Sequence, residues 1–285
     1  MRCNERIKFA ALLDRALALG FDAIATGHYA EVIRDSEGNP ELHRGEDLAK
    51  DQSYVLGVLT GEQLEHCYFP IGATASKAEV RAEAAERGFS VANKPDSYDI
   101  CFIPDGDTRG WLSDHLDRES GEIVDESGTV IGTHDGANGY TVGQRKGLQL
   151  GRPAPDGKPR YVLSIRPVSN QVVVGPKDRL AIASMAGGRY SWAGEPGIDV
   201  GETFDCDVQI RAHADPVPAR ARLAPVRDED RTEQHRDGVE HEIVVDVDLA
   251  QTEPLLGVAP GQTAVLYRGT RVLGQFTIDR AIPAP

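Results

Sequence analysis

The opening third of the chain alternates helical and strand-like patterning. From Ile7 to Leu19 the apolar residues Phe9, Leu12, Leu13, Ala16 and Leu17 recur at helical spacing, and Gly20 supplies the stop. The run Phe21–Thr26 then reads as a buried strand ending in Gly27-His28-Tyr29. Helix, turn and apolar strand with glycine at its carboxyl end is the order of an open α/β sheet, whose ligands sit at the strand ends. Gly27 would admit a ligand to the backbone, with His28 and Tyr29 lining the rim. A hairpin is expected at 31–34 and 41–44 across the turn formers of 35–40. A short helical segment follows at 55–59, and Ser76-Lys77-Ala78-Glu79 has the form of a capping box, with Val80, Ala84 and Ala85 behind it and Gly88 as its stop. Phe89–Ala92 is expected as a strand, and a short apolar run, 100–103, holds Cys101.

Beyond Trp111 the pattern changes. One helix (111–116) gives way to strands at hairpin spacing, 122–125 with 129–132 and 160–166 with 171–174. Between them lies Thr141-Val142-Gly143-Gln144-Arg145-Lys146-Gly147-Leu148, a glycine-bracketed basic loop. It is not a Walker A loop, because the spacing differs and no Ser or Thr follows the lysine. From Ala183 onward the pattern is all-β, with strands expected at 204–211, 219–223, 243–249, 263–267 and 272–278, spaced as in a small barrel. The acidic run 227–242 reads as a solvated loop or hairpin tip.

Composition narrows the classes. The 285 residues are 40% hydrophobic and 27% charged, an ordinary globular mixture. No apolar run approaches the ~20 residues of a membrane span, and no signal-peptide pattern opens the chain. The four cysteines are far apart with no CxxC pair, which argues against a disulfide scaffold and for a reducing compartment, the cytoplasm. A net charge of −14 does not suggest nucleic-acid binding. Yet between Gly139 and Leu180 eight Lys/Arg stand against two Asp, a candidate phosphate-contacting face or a solvated basic surface. Cys101, placed between a strand end and a possible helix start, sits where thiolate is favoured. Asp99 opposes this unless it accepts the proton. The alternative is a buried, inert cysteine, the role assigned to Cys67 and Cys206.

Five blocks, in order along the chain, resemble the tRNA-specific 2-thiouridylases: Arg2-Cys3-Asn4-Glu5-Arg6-Ile7-Lys8-Phe9, Ala25-Thr26-Gly27-His28-Tyr29, Lys50-Asp51-Gln52-Ser53-Tyr54, Asp99-Ile100-Cys101-Phe102-Ile103 and the basic loop 141–148. The resemblance implies an α/β, Rossmann-like nucleotide-binding sheet, truncated and covering 1–107. A small, mainly-β, tRNA-binding central domain (108–182) and a C-terminal β-barrel (183–285) would follow. It implies ATP-dependent adenylation, with Mg2+, of the wobble uridine of tRNA, then sulfur transfer from a cysteine persulfide. Cys101 would carry the persulfide, charged by a sulfur-relay protein or cysteine desulfurase. Cys3 would be the second thiol, forming a disulfide with Cys101 as sulfur departs. Gly27 would contact ATP. His28, Lys50, Asp51, Gln52, Arg145, Lys146, Arg211 and Gln262 would contact the tRNA.

Two departures stand out. The family's Ser-Gly-Gly-x-Asp-Ser phosphate loop does not occur ahead of the Cys3 block, so this chain alone is expected not to adenylate tRNA. The alternative function is accordingly a non-catalytic tRNA-binding fragment. At Arg211-Ala212-His213 the family's aromatic is replaced by Ala212.

Overall fold

The structure, a computed structural model, describes residues 1–93, 103, 110–111, 115, 119–148, 150, 156–194, 198–226 and 240–284. They fall into two compact units, one of Met1–Lys94, Ser184–Glu253 and Pro260–Ala281, the other of Pro95–Ala183, Pro254–Ala259 and Ile282–Pro285.

The first unit opens with a π-helical stretch, Asn4–Leu12, running into α1 (Leu13–Ala18). The helix lies where the apolar spacing predicts one, but the wider π repeat re-aims its side chains. Asn4 and Phe9, five apart, are buried together with Leu13, while Leu12 is 53% exposed. Gly20, at φ +87°, ends the segment. Of the expected strand 21–26 only β1 (Ile24–Ala25) forms. The hairpin follows as β2 (Ala30–Arg34) and β3 (Pro40–Arg44), its turn held by Asp35 Oδ1, which accepts from Glu37 N at 2.8 Å and Asn39 N at 2.9 Å. Two short helices, α2 (Ser53–Leu56) and α3 (Gly61–Glu65), precede β4 (Cys67–Tyr68), which pairs in parallel with β1. The full capping box belongs to α3, through Thr60 and Gln63. α4 (Lys77–Glu86) begins at the predicted cap, with Glu79 N donating to Ser76 Oγ at 3.3 Å. It buries none of its residues, Val80, Ala84 and Ala85 included. Residues 89–92 are turn rather than strand, with Phe89 and Val91 exposed, since the run is short and finds no strand to pair with among the described residues.

The second unit contains β5 (Gly121–Val124), β6 (Val130–His134), β7 (Tyr161–Arg166) and β8 (Gln171–Gly175) in the order β6-β5-β8-β7. Both expected hairpins form, and the parallel pairing of β5 with β8 joins them. Asn170, at φ +49°, fixes that joint, its Nδ2 donating to the carbonyls of Glu119 at 3.0 Å and Ser120 at 3.2 Å. Ile123, Val162, Val172, Val174 and Leu148 share its core.

The remaining strands are β9 (Ala181–Gly187), β10 (Arg189–Trp192), β11 (Thr203–Gln209), β12 (Val217–Pro225), β13 (His241–Val247), β14 (Leu255–Leu256), β15 (Thr263–Arg268), β16 (Arg271–Thr277) and β17 (Arg280–Pro283). All five strands expected from the pattern are present, and β9, β10, β14 and β17 are additional. Within the first unit the sheet runs β9-β13-β12-β11-β15-β16-β3-β2, with β10 also on β16. The early hairpin thus completes the late sheet, through His43 opposite Arg271 and Arg44 N donating to Thr270 O at 2.9 Å. One core joins Phe9, Leu42, Tyr54, Leu56 and Leu59 to Val265, Tyr267 and Val272. At about 1.5–3 kcal/mol per large side chain removed from water, this shared core holds the two stretches together.

Candidate nucleic-acid interface

Cys3 is exposed at the N-terminal boundary of the π-helical stretch. Two side chains pin that stretch against α2 and α3. Asn4 Nδ2 donates to Val55 O at 3.0 Å, and Gln63 Nε2 donates to Phe9 O at 2.6 Å. Cys101 and Asp99 lie outside the described residues. Cys67 and Cys206 are buried, and desolvation pushes each thiol up to about 12, the behaviour of inert core cysteines.

Gly27 lies exposed just past the end of β1, and among the described residues a Cβ there would meet only Ile71 Cδ1, at 3.9 Å. His28 and Tyr29 do not line a rim, since both are buried. The His28 ring packs between Phe9 and Phe69, at 5.8 Å from each centroid, and its Nδ1 shares a 2.7 Å hydrogen bond with Thr26 Oγ1. Burial, with Lys8 nearby, lowers its pKa from 6.5 to about 4, so the ring is neutral near pH 7. A neutral, enclosed imidazole supplies no positive charge to a phosphate.

The segment Lys50–Gln52 is held from inside. Asp51 Oδ1 accepts from Gly45 N at 3.1 Å and Ser53 N at 3.0 Å, and its Oδ2 accepts from Ser53 Oγ at 2.8 Å. Gln52 clasps Tyr29, donating from its backbone N–H to Tyr29 O at 2.8 Å and accepting from Tyr29 N at its Oε1 at 3.1 Å. Asp51 is therefore committed to shaping the loop.

This loop meets the late sheet at Tyr54. Its hydroxyl donates to Thr263 O at 2.8 Å, beside Gln262. Burial pushes the phenol up to about 12, with the Arg211 charge acting in the opposite sense. One hydrogen bond thus ties the segment that follows 50–52 to the residue that follows Gln262, with the Arg211 charge near enough to act on the same phenol. Arg44, Gln209 and Tyr267, which complete the surroundings, were not evident from the sequence. The visible signal was Asp51-Gln52-Ser53, a side-chain-to-backbone turn that needs a partner for the carboxylate's remaining lone pairs.

In the other unit Arg145 and Lys146 are exposed on an ordered loop. Gly143 N donates to Val162 O at 2.8 Å, Val162 N donates to Gln144 O at 2.9 Å, and Gln144 Nε2 donates to Lys146 O at 3.0 Å. Gly143 and Gly147, at φ +88° and +78°, make the turns that L-residues resist, and so present the two cations outward.

Residues 1–105 match the tRNA methyl transferase HUP domain, 109–176 the tRNA methyl transferase PRC-barrel domain and 183–278 the aminomethyltransferase β-barrel domain. The fold class is accordingly a Rossmann-like HUP domain, a PRC-barrel-like middle domain and a C-terminal β-barrel. The chain is 63% identical over 284 residues to the tRNA-specific 2-thiouridylase MnmA of Clavibacter michiganensis, an alignment covering 100% of this chain and 70% of that protein. It is 62% identical over 284 residues to that of Leifsonia xyli, covering 100% and 72%. It is 64% identical over 283 residues to that of Paenarthrobacter aurescens, covering 99% and 72%. Identity of this extent, carried through all three matched domains, places the chain in the tRNA-specific 2-thiouridylase family.

Proposed function

We propose that this protein binds tRNA and contributes to 2-thiolation of its wobble uridine in the cytoplasm. The observation that carries the reading is the 62–64% identity, across essentially the whole chain, to proteins named for that activity. The tie from Tyr54 to Thr263, with the Arg211 charge close by, supports it, as does the outward display of Arg145 and Lys146. No helix among the described residues is long and apolar enough to cross a membrane.

In this reading Arg145 and Lys146 hold the tRNA backbone, while Lys50, Arg211 and Gln262 contact it from the first unit. Gly27, exposed at its strand end, fits the approach of ATP, with Mg2+. Bound ATP would make the uridine's carbonyl oxygen a good leaving group. Cys101 carries the donated sulfur as a persulfide, received from a sulfur-relay protein or cysteine desulfurase. Cys3 thiolate attacks Cys101 Sγ, and a Cys3–Cys101 disulfide forms as the S–S bond of the persulfide breaks. The released sulfur keeps the electron pair and attacks ring position two, where the C–O bond would break and the activated oxygen would depart as AMP, and a thiol reductant then restores both cysteines.

The test incubates the full chain with a tRNA transcript bearing wobble uridine, Mg-ATP and a persulfide donor. Nucleoside mass spectrometry follows 2-thiouridine, and a gel shift follows binding. Thiouridine that disappears in Cys3→Ser and Cys101→Ser supports the reading. Binding without thiouridine reduces the role to tRNA binding, and no binding refutes it. Arg145→Ala with Lys146→Ala is expected to flatten the dependence of log affinity on log salt by about 2.

A further inference from the structure

We propose that Arg44 is a positioning residue that holds Lys50–Gln52 and the Arg211 turn in one fixed arrangement for RNA. The inference rests on the tRNA-binding reading above, but its warrant is the hydrogen-bond geometry of a side chain with no assigned role. The Arg44 side chain is only 14% exposed, and that of Asp51 only 6%. One guanidinium nitrogen donates to Gln209 Oε1 at 2.9 Å, and the other lies 3.5 Å from Asp51 Oδ2. The guanidinium carbon, Cζ, sits over the Tyr267 ring, 4.2 Å from its centre.

Each of these partners passes the constraint on. Gln209 Nε2 donates to the carbonyls of Arg211 at 2.9 Å and Ala212 at 3.3 Å, setting the turn that carries Arg211. Asp51 bonds the amides of Gly45 and Ser53, setting the loop that carries Lys50 and Gln52. Tyr267 OH lies 3.3 Å from Ser53 Oγ, which closes the circuit. Arg44 and Gln209 are 165 positions apart in the chain, so no local preference could set the spacing of the two RNA-facing stretches. A planar fork can meet a carboxylate, an amide oxygen and an aromatic face at once. An ammonium in the same place keeps the charge but loses that geometry. Arg44 is too enclosed to serve as a phosphate contact itself, so it acts through the groups it spaces.

The test uses Arg44→Lys and Gln209→Leu in the full chain, with an unmodified tRNA transcript whose affinity is measured across a salt series. Arg44→Lys leaves net charge unchanged, so a smaller salt slope means that fewer phosphates are engaged, not that the protein carries less charge. The expected result is affinity lowered about 5- to 10-fold and a slope smaller by about 1. Lys50→Ala and Arg211→Ala should lose much of their separate effects in the Arg44→Lys background, giving non-additive cycles. Gln209→Leu, which cuts only the arm to Arg211, should reproduce the loss of Arg211→Ala and keeps the test open if Arg44→Lys folds poorly. A lowered melting temperature with unchanged slope and additive cycles overturns the inference alone. Absence of tRNA binding by the unaltered chain overturns the RNA reading beneath it.

Discussion

Replacing His28 by Phe should remove a defined part of the protein's acid sensitivity. His28 is buried between Phe9 and Phe69, and its pKa falls from 6.5 to about 4, mainly through desolvation and secondarily through Lys8. Between those two values the unfolded chain binds a proton at this site that the folded chain does not. Stability therefore rises with pH across that window and falls on acidification. The full difference corresponds to about 3 kcal/mol, lost as the pH drops through about 4, and about 2 kcal/mol of it separates pH 7 from pH 5. The assay is urea unfolding at both pH values, followed by tryptophan fluorescence in a Trp111→Phe background, which leaves Trp192, in the same unit as His28, as the reporter. Subtracting the pH 7 to pH 5 change of His28→Phe from that of the parent cancels other titrations and any packing offset. A difference near 2 kcal/mol is expected. Equal pH dependence in the two proteins would refute the reasoning, since a buried neutral imidazole cannot be reconciled with it.

Three further outcomes follow from the packing. Gln63→Ala removes both the capping-box bond to Thr60 N and the clamp on Phe9 O, and should cost about 2 kcal/mol by chemical denaturation. Gly72→Ala drives a Cβ into the Ala30 carbonyl oxygen, a backbone atom that cannot rotate away, and should cost about 3 kcal/mol in the same assay. Iodoacetamide at pH 8, read by peptide mass spectrometry, should label Cys3 within minutes and leave Cys67 and Cys206 unmodified until urea is added. Early labelling of either buried thiol would show that its core opens readily.

Sequence alone determined what neighbours in the chain can settle among themselves. The Asp35 turn, the Ser76 cap, the alternation that makes β11 to β13 and β15 to β16 strands, and the motif blocks that mark the family were all legible. The turn, the cap and the strands depend on backbone preference or side-chain period over a few residues, whereas the blocks are read by resemblance. Burial of His28 was not legible, because the Phe69 ring that encloses it lies on a separate stretch of chain. The inward turn of Asp51, the parallel join of β5 to β8 and the addition of the early hairpin to the late sheet were equally beyond local patterning. So was the outward turn of Leu12, which depends on where a π repeat intervenes. These features arise from contacts between residues far apart in the chain, whose worth depends on what lies opposite. Only the folded chain decides which of the family's polar residues face outward and which, like Asp51, hold the others in place.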